Sequence, residues 1–313
     1  MSKIVLMGEC MVEFGGAGET NLYKKNYAGD VFNTGIYIKR CVKDLADVQF
    51  LSAVGNDEIS SEMIGMMVQE SVDASLVYQS STASMGLYLI NVDDEGERSF
   101  TYWRDTSAAK QVVKFLANDG GSERLKGTDI FFFSGISIAI LSSDDRQQLW
   151  QYISELKQAG TKIVFDPNYR PTLWSSLEET REAYAEAFAL ADIALPGVDD
   201  HIVLYDAKNA EDVADFLEQI GVSEIIIKNG AQGMLVSVNG ERSYIDVDPV
   251  KTVVDTTSAG DAFNGGYLSA RLIGRSVTQA AVFASKVSAC VIQHKGAIVS
   301  RQAFSQQLTD FPI

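Results

Sequence analysis

Ile130-Phe131-Phe132-Phe133-Ser134 and Lys162-Ile163-Val164-Phe165-Asp166 are short, almost wholly apolar runs, and between them Asp144–Ala159 has the pattern of an amphipathic helix. A continuously apolar strand is one covered on both faces, and a helix is the usual crossover between two parallel strands. The stretch therefore reads as a strand–helix–strand unit of a parallel sheet. The same alternation continues outward in both directions. Ile4–Gly8, Val48–Ala53, Ile193–Leu195 and Glu224–Lys228 read as further core strands, and Leu177–Leu190 and Ala210–Gly221 as helices. This pattern predicts a mostly parallel sheet between two helical layers. No internal repeat, low-complexity tract or Pro/Gly-rich linker divides the chain, so residues 1–313 read as a single domain.

Two segments, about 10–33 and 85–104, break the alternation. Gly86–Val92, the polar turn Asp93-Asp94-Glu95-Gly96-Glu97 and Arg98–Trp103 read as a β-hairpin. The Gly15-Gly16-Ala17-Gly18 run reads as a turn. Together these segments predict a small sheet standing off the main body. Such a sheet is either a lid over the carboxyl ends of the parallel strands or a plain structural excursion.

The formal charge of −16 argues against nucleic acid as a partner, because its phosphates would be repelled. It leaves room for a small anion, since a few basic side chains can reverse the field inside a cleft. Cys10, Cys41 and Cys290 have no metal-ligand spacing and are expected as buried, reduced thiols. The most apolar segment, 130–141, is broken by Ser134, Gly135 and Ser137, whereas a membrane span needs about 20 residues. Met1-Ser2-Lys3 leads straight into a strand-like run rather than a signal peptide. The expectation is a cytoplasmic protein without a membrane partner.

Much of the usual catalytic inventory is missing. His201 and His294 have no evident nucleophile or metal partner, and neither a Walker phosphate loop nor a dinucleotide fingerprint is present. What remains is Asp255-Thr256-Thr257-Ser258-Ala259-Gly260-Asp261, which follows the β-like run Thr252-Val253-Val254 and opens a helix, Asp261–Leu272. Small residues at a helix start let backbone N–H groups approach an anion, aided by the helix dipole. A carboxylate at that point, Asp261, can orient and deprotonate a hydroxyl attacking a phosphate. Read alone, Asp261 fits equally well as a helix cap.

The Asp255–Asp261 stretch resembles the D-T-x-x-A-G-D signature of the ribokinase-like (PfkB) carbohydrate kinases. Gly29-Asp30-Val31-Phe32-Asn33-Thr34-Gly35 is similar to the family's upstream glycine-rich element, and Val54-Gly55-Asn56-Asp57 to its G-x-D turn. The resemblance runs from Met1 to about Ser300. It implies a three-layer α/β/α fold with a mostly parallel central sheet and a small β-sheet lid. Within the family, the likeness is to sugar-acid kinases acting on 2-dehydro-3-deoxygluconate. It is carried by Gly8-Glu9-Cys10-Met11-Val12-Glu13, Gly86-Leu87-Tyr88, Tyr102-Trp103-Arg104, Ser134-Gly135-Ile136-Ser137 and the 166–174 run.

That likeness implies ATP and a sugar acid as substrates, with Mg²⁺ as the cofactor metal. Gly29, Asp30 and Asn33 would bind sugar hydroxyls, with Tyr88, Tyr102, Arg104 and Arg170 around the substrate's other end. An arginine presents a planar fork of donors matched to a carboxylate. A similar run in related fructokinases lets Arg170 and Asn168 serve the nucleotide instead. Lys228, Asn229, Gly230, Ala231 and Gly233 would lie along ATP, with Ser285 near adenine or ribose. Ser258, Ala259 and Gly260 would form the anion hole and Asp261 the base. Gly197-Val198-Asp199-Asp200 stands where the family carries N-x-x-E, so Asp200 would reach the metal through water. The alternatives are a fructokinase or ribokinase of the same fold, or a catalytically silent sugar sensor. Open strand edges on the lid make a homo-oligomer, a dimer or a multiple of one, the expected assembly.

Overall fold

The computed structural model describes residues 1–16, 18, 21–92 and 98–308. The expected hairpin turn, residues 93–97, lies outside the described residues, as do Ala17 and residues 309–313. The described strands are β1 (Ser2–Met7), β2 (Met11–Gly16), β3 (Tyr23–Ala28), β4 (Ala46–Gly55), β5 (Val77–Ser80), β6 (Leu87–Val92), β7 (Arg98–Trp103), β8 (Ile130–Ser134), β9 (Lys162–Asp166), β10 (Ile193–Ala194), β11 (Glu224–Lys228), β12 (Met234–Val238) and β13 (Glu241–Ile245). Nine of them form one sheet in the order β13-β12-β11-β10-β9-β8-β1-β4-β5. From β11 to β5 every pairing is parallel, and only the β11–β12–β13 edge is antiparallel.

Both faces of this sheet are covered, as the apolar runs predict. Along β1, Ile4 and Leu6 enter one apolar cluster with Phe50 and with Val31, Phe32 and Ile36 of the helix Asp30–Val42. Val5 and Met7 enter the opposite cluster with Phe131, Phe133 and Ile153. Period-2 alternation with both faces apolar is what makes β1 a central strand. The covering helices start where side chains take up their free N–H groups. Ser142 caps Ser143–Gln158, Ser176 caps Leu177–Leu190, and Asn209 caps Ala210–Ile220. Gly221 stops the last of these in the left-handed region at φ 101°.

A second sheet, β3-β2-β6-β7, stands apart. Gly15 and Gly16 are not a turn: they end β2 in register with Lys24 and Tyr23. Residues 30–33, read with this sheet, are instead the first turn of the helix Asp30–Val42. Thr252–Val254 is not a strand either. Val253 and Val254 are 55% and 43% exposed, and the Val254 and Asp255 N–H groups both donate to the Ile292 carbonyl at 2.8 and 3.1 Å. β-branched residues favour a pleated surface only when a partner strand offers one. The helix that follows begins at Ala259, two residues before Asp261.

All three cysteines are free and buried. Among the described residues no helix is long and apolar enough to cross a membrane. His201 is fully buried against the rings of Phe188, Tyr205 and Phe216. Burial pushes its imidazole down to about 4, with the Gly197 backbone opposing only in part. An unfolded chain takes up this proton near 6.5, so the stabilisation is complete above that pH and is lost as pH falls towards 4. Melting temperature should drop across that window by the equivalent of up to about 3 kcal/mol. A His201→Phe variant should show a shallower slope there; an unchanged slope would place the titration elsewhere.

Candidate active site

The parallel strands end their C-terminal edges on polar groups, and ligands of open α/β sheets bind outside that edge. Glu9 follows β1, Asp166 ends β9, Gly197 and Asp200 follow β10, and Lys228 ends β11. Facing them is the turn 255–261. Asp255 is buried and ties the turn down, accepting from Thr257 N at 2.9 Å and Gly296 N at 2.7 Å. Ser258 sits in the left-handed region at φ 66°, and the helix Ala259–Leu272 leaves from it. Asp261 is thus in the first helical turn and is not the cap residue.

Asp261 is held from the opposite helix: Asn33 Nδ2 donates to Asp261 Oδ2 at 2.8 Å, and Thr34 Oγ1 to its carbonyl at 3.2 Å. Burial, then the charge of Asp30, pushes the Asp261 carboxyl up to about 7, against the pull of Asn33. A carboxylate poised near neutrality is suited to take a proton from a hydroxyl. The expected anion hole needs one change. Ala259 N–H donates to Thr256 O at 3.1 Å, so the amides that follow, of Gly260 and Asp261, are the ones left for an anion. Lys228 crosses the same spot, its Nζ 3.1 Å from Asn264 Oδ1 and 3.4 Å from Asp166 Oδ1.

Two cavities meet here. One, of about 720 Å³, is lined by Gly29, Asp30, Asn33, Tyr88, Tyr102, Arg104, Asn168, Arg170, Asp200 and Asp261. The other, of about 570 Å³, is lined by Lys228, Asn229, Gly230, Ala231, Gly233 and Ser285. Lys228, Thr256, Ala259 and Gly260 border both. The residues assigned to two substrates from sequence thus fall into two adjoining spaces. Asn168, read for the nucleotide, lies in the first of them and donates to Asp30 Oδ2 at 2.8 Å. Arg170 also faces that space, is exposed, and donates only to Tyr169 O at 2.9 Å among the described residues.

Two of the four donors read for the substrate's far end already have side-chain partners. Arg104 Nη2 bonds the buried carboxylate of Glu9, and the Tyr88 hydroxyl donates to Glu13. Tyr102 is 48% exposed, with its ring 5.9 Å from the Arg104 guanidinium and 5.6 Å from Tyr88. Sequence reasoning assigned no role to Glu9, Asp166 or Asn264. Asp166 had a usable signal, a carboxylate at the end of an apolar strand; the Glu9–Arg104 pair spans 95 positions and had none.

The family model for the pfkB family carbohydrate kinases matches residues 1–303. The chain belongs to this family. It is a sugar kinase, phosphorylating a hydroxyl group, which is the reaction the two adjoining cavities suit. It is 40% identical over 306 residues to a 2-dehydro-3-deoxygluconokinase of Escherichia coli, covering 96% of this chain and 98% of that one. It is 38% identical over 315 residues to the Haemophilus influenzae protein of the same name, covering 99% and 100%. Among solved structures, a PfkB protein from Polaromonas sp. JS666 superposes with a TM-score of 0.83 at 25% identity over 98% of this chain and 99% of that one. The kinase fold seen here is that of the ribokinase-like structures.

Proposed function

We propose that this kinase transfers the γ-phosphoryl group of ATP to the C6 hydroxyl of 2-dehydro-3-deoxygluconate. The observation that carries the reading is the Asp261 turn standing where the two cavities meet, with a carboxyl raised to about 7. The sugar acid lies in the larger cavity, its hydroxyls toward Gly29, Asp30 and Asn33 and its carboxylate toward Arg104 and Arg170. The nucleotide lies along Lys228–Gly233, with Ser285 beside its base or ribose. Asp261 accepts the hydroxyl proton as the C6 oxygen bonds to the γ-phosphorus and the bond to the β-phosphate oxygen breaks. The Gly260 and Asp261 amides and Lys228 hold the charge that develops on the migrating group. The named substrate follows the relatives at 38–40% identity, and the two arginines give it a chemical basis.

Asp166 and Asp200 fit a Mg²⁺ ion arriving with the nucleotide. Burial, then the charge of Asp166, pushes Asp200 up to about 6, so these two carboxylates would gain from a bound cation. A hard ion of this kind would take most of its oxygens from phosphate and water. When bound, the ion neutralises charge on the β- and γ-phosphates. Residues 1–313 work as one kinase domain, and the small sheet of β2, β3, β6 and β7 closes as a lid. Exposed Tyr23, Phe100 and Trp103 on that sheet suit a dimer.

The test is ADP release with MgATP on 2-dehydro-3-deoxygluconate, fructose and ribose. A kcat/KM about tenfold or more in favour of the sugar acid is expected, the discrimination of at least one well-made charged contact. Preference for fructose or ribose would keep the kinase and discard the carboxylate pocket.

A further inference from the structure

Glu9 is 2% exposed and borders the larger cavity directly after β1. Its Oε2 accepts from Arg104 Nη2, and its Oε1 from Ser107 Oγ at 2.5 Å. Room for this carboxylate depends on Gly86, where a Cβ would stand 2.7 Å from Glu9 Oε1 and 3.2 Å from Arg104 Cβ. Arg104 is itself only 9% exposed, and its buried Nε has no partner among the described residues. Arg104 is gripped at Nη2, yet its side chain still borders the larger cavity. Buried pairs of this kind contribute little net stability, so the arrangement asks for another reason.

We propose that Glu9 is a positioning residue that fixes the Arg104 guanidinium where the side chain borders the cavity, so that it meets the substrate carboxylate there. The proposal rests on the sugar-acid reading above. Asp30, Asp166, Asp200 and Asp261 make the cavity acidic, so a substrate carboxylate is bound there by a locally fixed fork of donors rather than by the mean field. A guanidinium free to rotate toward those aspartates would lose that selectivity.

The experiment compares wild type with Glu9→Gln, Glu9→Ala and Ser107→Ala on three readouts. These are KM for 2-dehydro-3-deoxygluconate, KM for ATP, and KM for the neutral analogue with the carboxylate reduced to an alcohol. Expected are a rise of about tenfold or more in the sugar-acid KM for Glu9→Ala and a smaller rise for the other two. ATP KM and neutral-analogue KM should stay within about twofold of wild type. Equal losses on all three readouts, or no change on any, would overturn the positioning role. Should Glu9→Ala fail to fold, Glu9→Gln keeps the volume and Ser107→Ala removes only one contact, and the same comparison decides. A wild type that does not turn over the sugar acid would remove the functional reading and this proposal together. A wild type that does, with unaffected variants, removes the proposal alone.

Discussion

Asp261→Asn should lower kcat by about 10²–10⁴-fold, the usual contribution of a positioned general base, while leaving the protein folded and more stable than wild type. Asparagine preserves shape and can still accept from Asn33 Nδ2, which stands 2.8 Å from Oδ2 in the native turn. What it removes is a carboxylate that burial and Asp30 make costly to ionise, with its pKa raised from 3.8 to about 7. The folded protein holds this proton more tightly than the unfolded chain, so stability falls as pH rises from about 4 to 7. Full ionisation would cost about 4 kcal/mol by that linkage, and water in the cleft reduces this to about 1–3 kcal/mol. The variant should therefore melt at a higher temperature than wild type at pH 8 and at nearly the same temperature at pH 4. Loss of turnover together with a gain in stability identifies a strained functional carboxylate; near-normal turnover would remove Asp261 as the base.

The same group sets the pH profile of the native enzyme. Below about 7 the base is protonated, so kcat/KM should fall tenfold per pH unit, and above it should level off. His201 titrates lower and inside the core, so it touches stability without touching this limb. The two are separable by assaying initial rates within a range where the protein stays folded.

The parts of the fold legible in the sequence are those where one local property decides the outcome. Ile130–Ser134, Lys162–Asp166 and Glu224–Lys228 are strands to the residue, because apolar faces on both sides end at capping or turn residues. Thr252–Val254 had the same local character and failed, because a strand also needs a neighbouring strand, and among the described residues Val254 N–H donates to the Ile292 carbonyl instead. Gly15 and Gly16 failed in the opposite sense, their pairing with Lys24 and Tyr23 overriding a turn-like composition. At the site, residue types at helix starts and strand ends were legible, and the fold brings them to the borders of two adjoining cavities. Which donor already has a partner was not: the grip of Glu9 on Arg104 and of Glu13 on Tyr88 joins residues 95 and 75 positions apart. Such contacts come from the tertiary fold, and no periodicity or propensity encodes them.

Gly29→Ala should disable the site without touching any reacting group. Gly29 precedes the helix Asp30–Val42 with φ −180° and ψ 146°, an extended conformation open to any residue, so its need for glycine is purely one of space. A Cβ built there would overlap the carbonyl oxygen of Glu9 and approach Cys10 Cα to 3.3 Å. Backbone atoms cannot rotate aside, so the helix start and the segment after β1 must separate. That separation moves Asp30 and Asn33 on one side, and Glu9 with its grip on Arg104 on the other. Asn33 in turn carries the hydrogen bond to Asp261, so both ends of the sugar pocket and the base shift at once. Overpacking of this kind costs about 1–3 kcal/mol, and misplacement of catalytic groups by an ångström costs about 10²-fold in rate. The expected variant melts earlier, folds to the same secondary structure by circular dichroism, and loses about 10²-fold in kcat/KM. Gly65→Ala is the control: it lies inside the helix Glu58–Gln69 with nothing within 4 Å of its Cβ position, and should gain about 0.5–1 kcal/mol. A Gly29→Ala protein with wild-type melting and turnover would show that the contact between Gly29 and Glu9 does not set the geometry of the pocket.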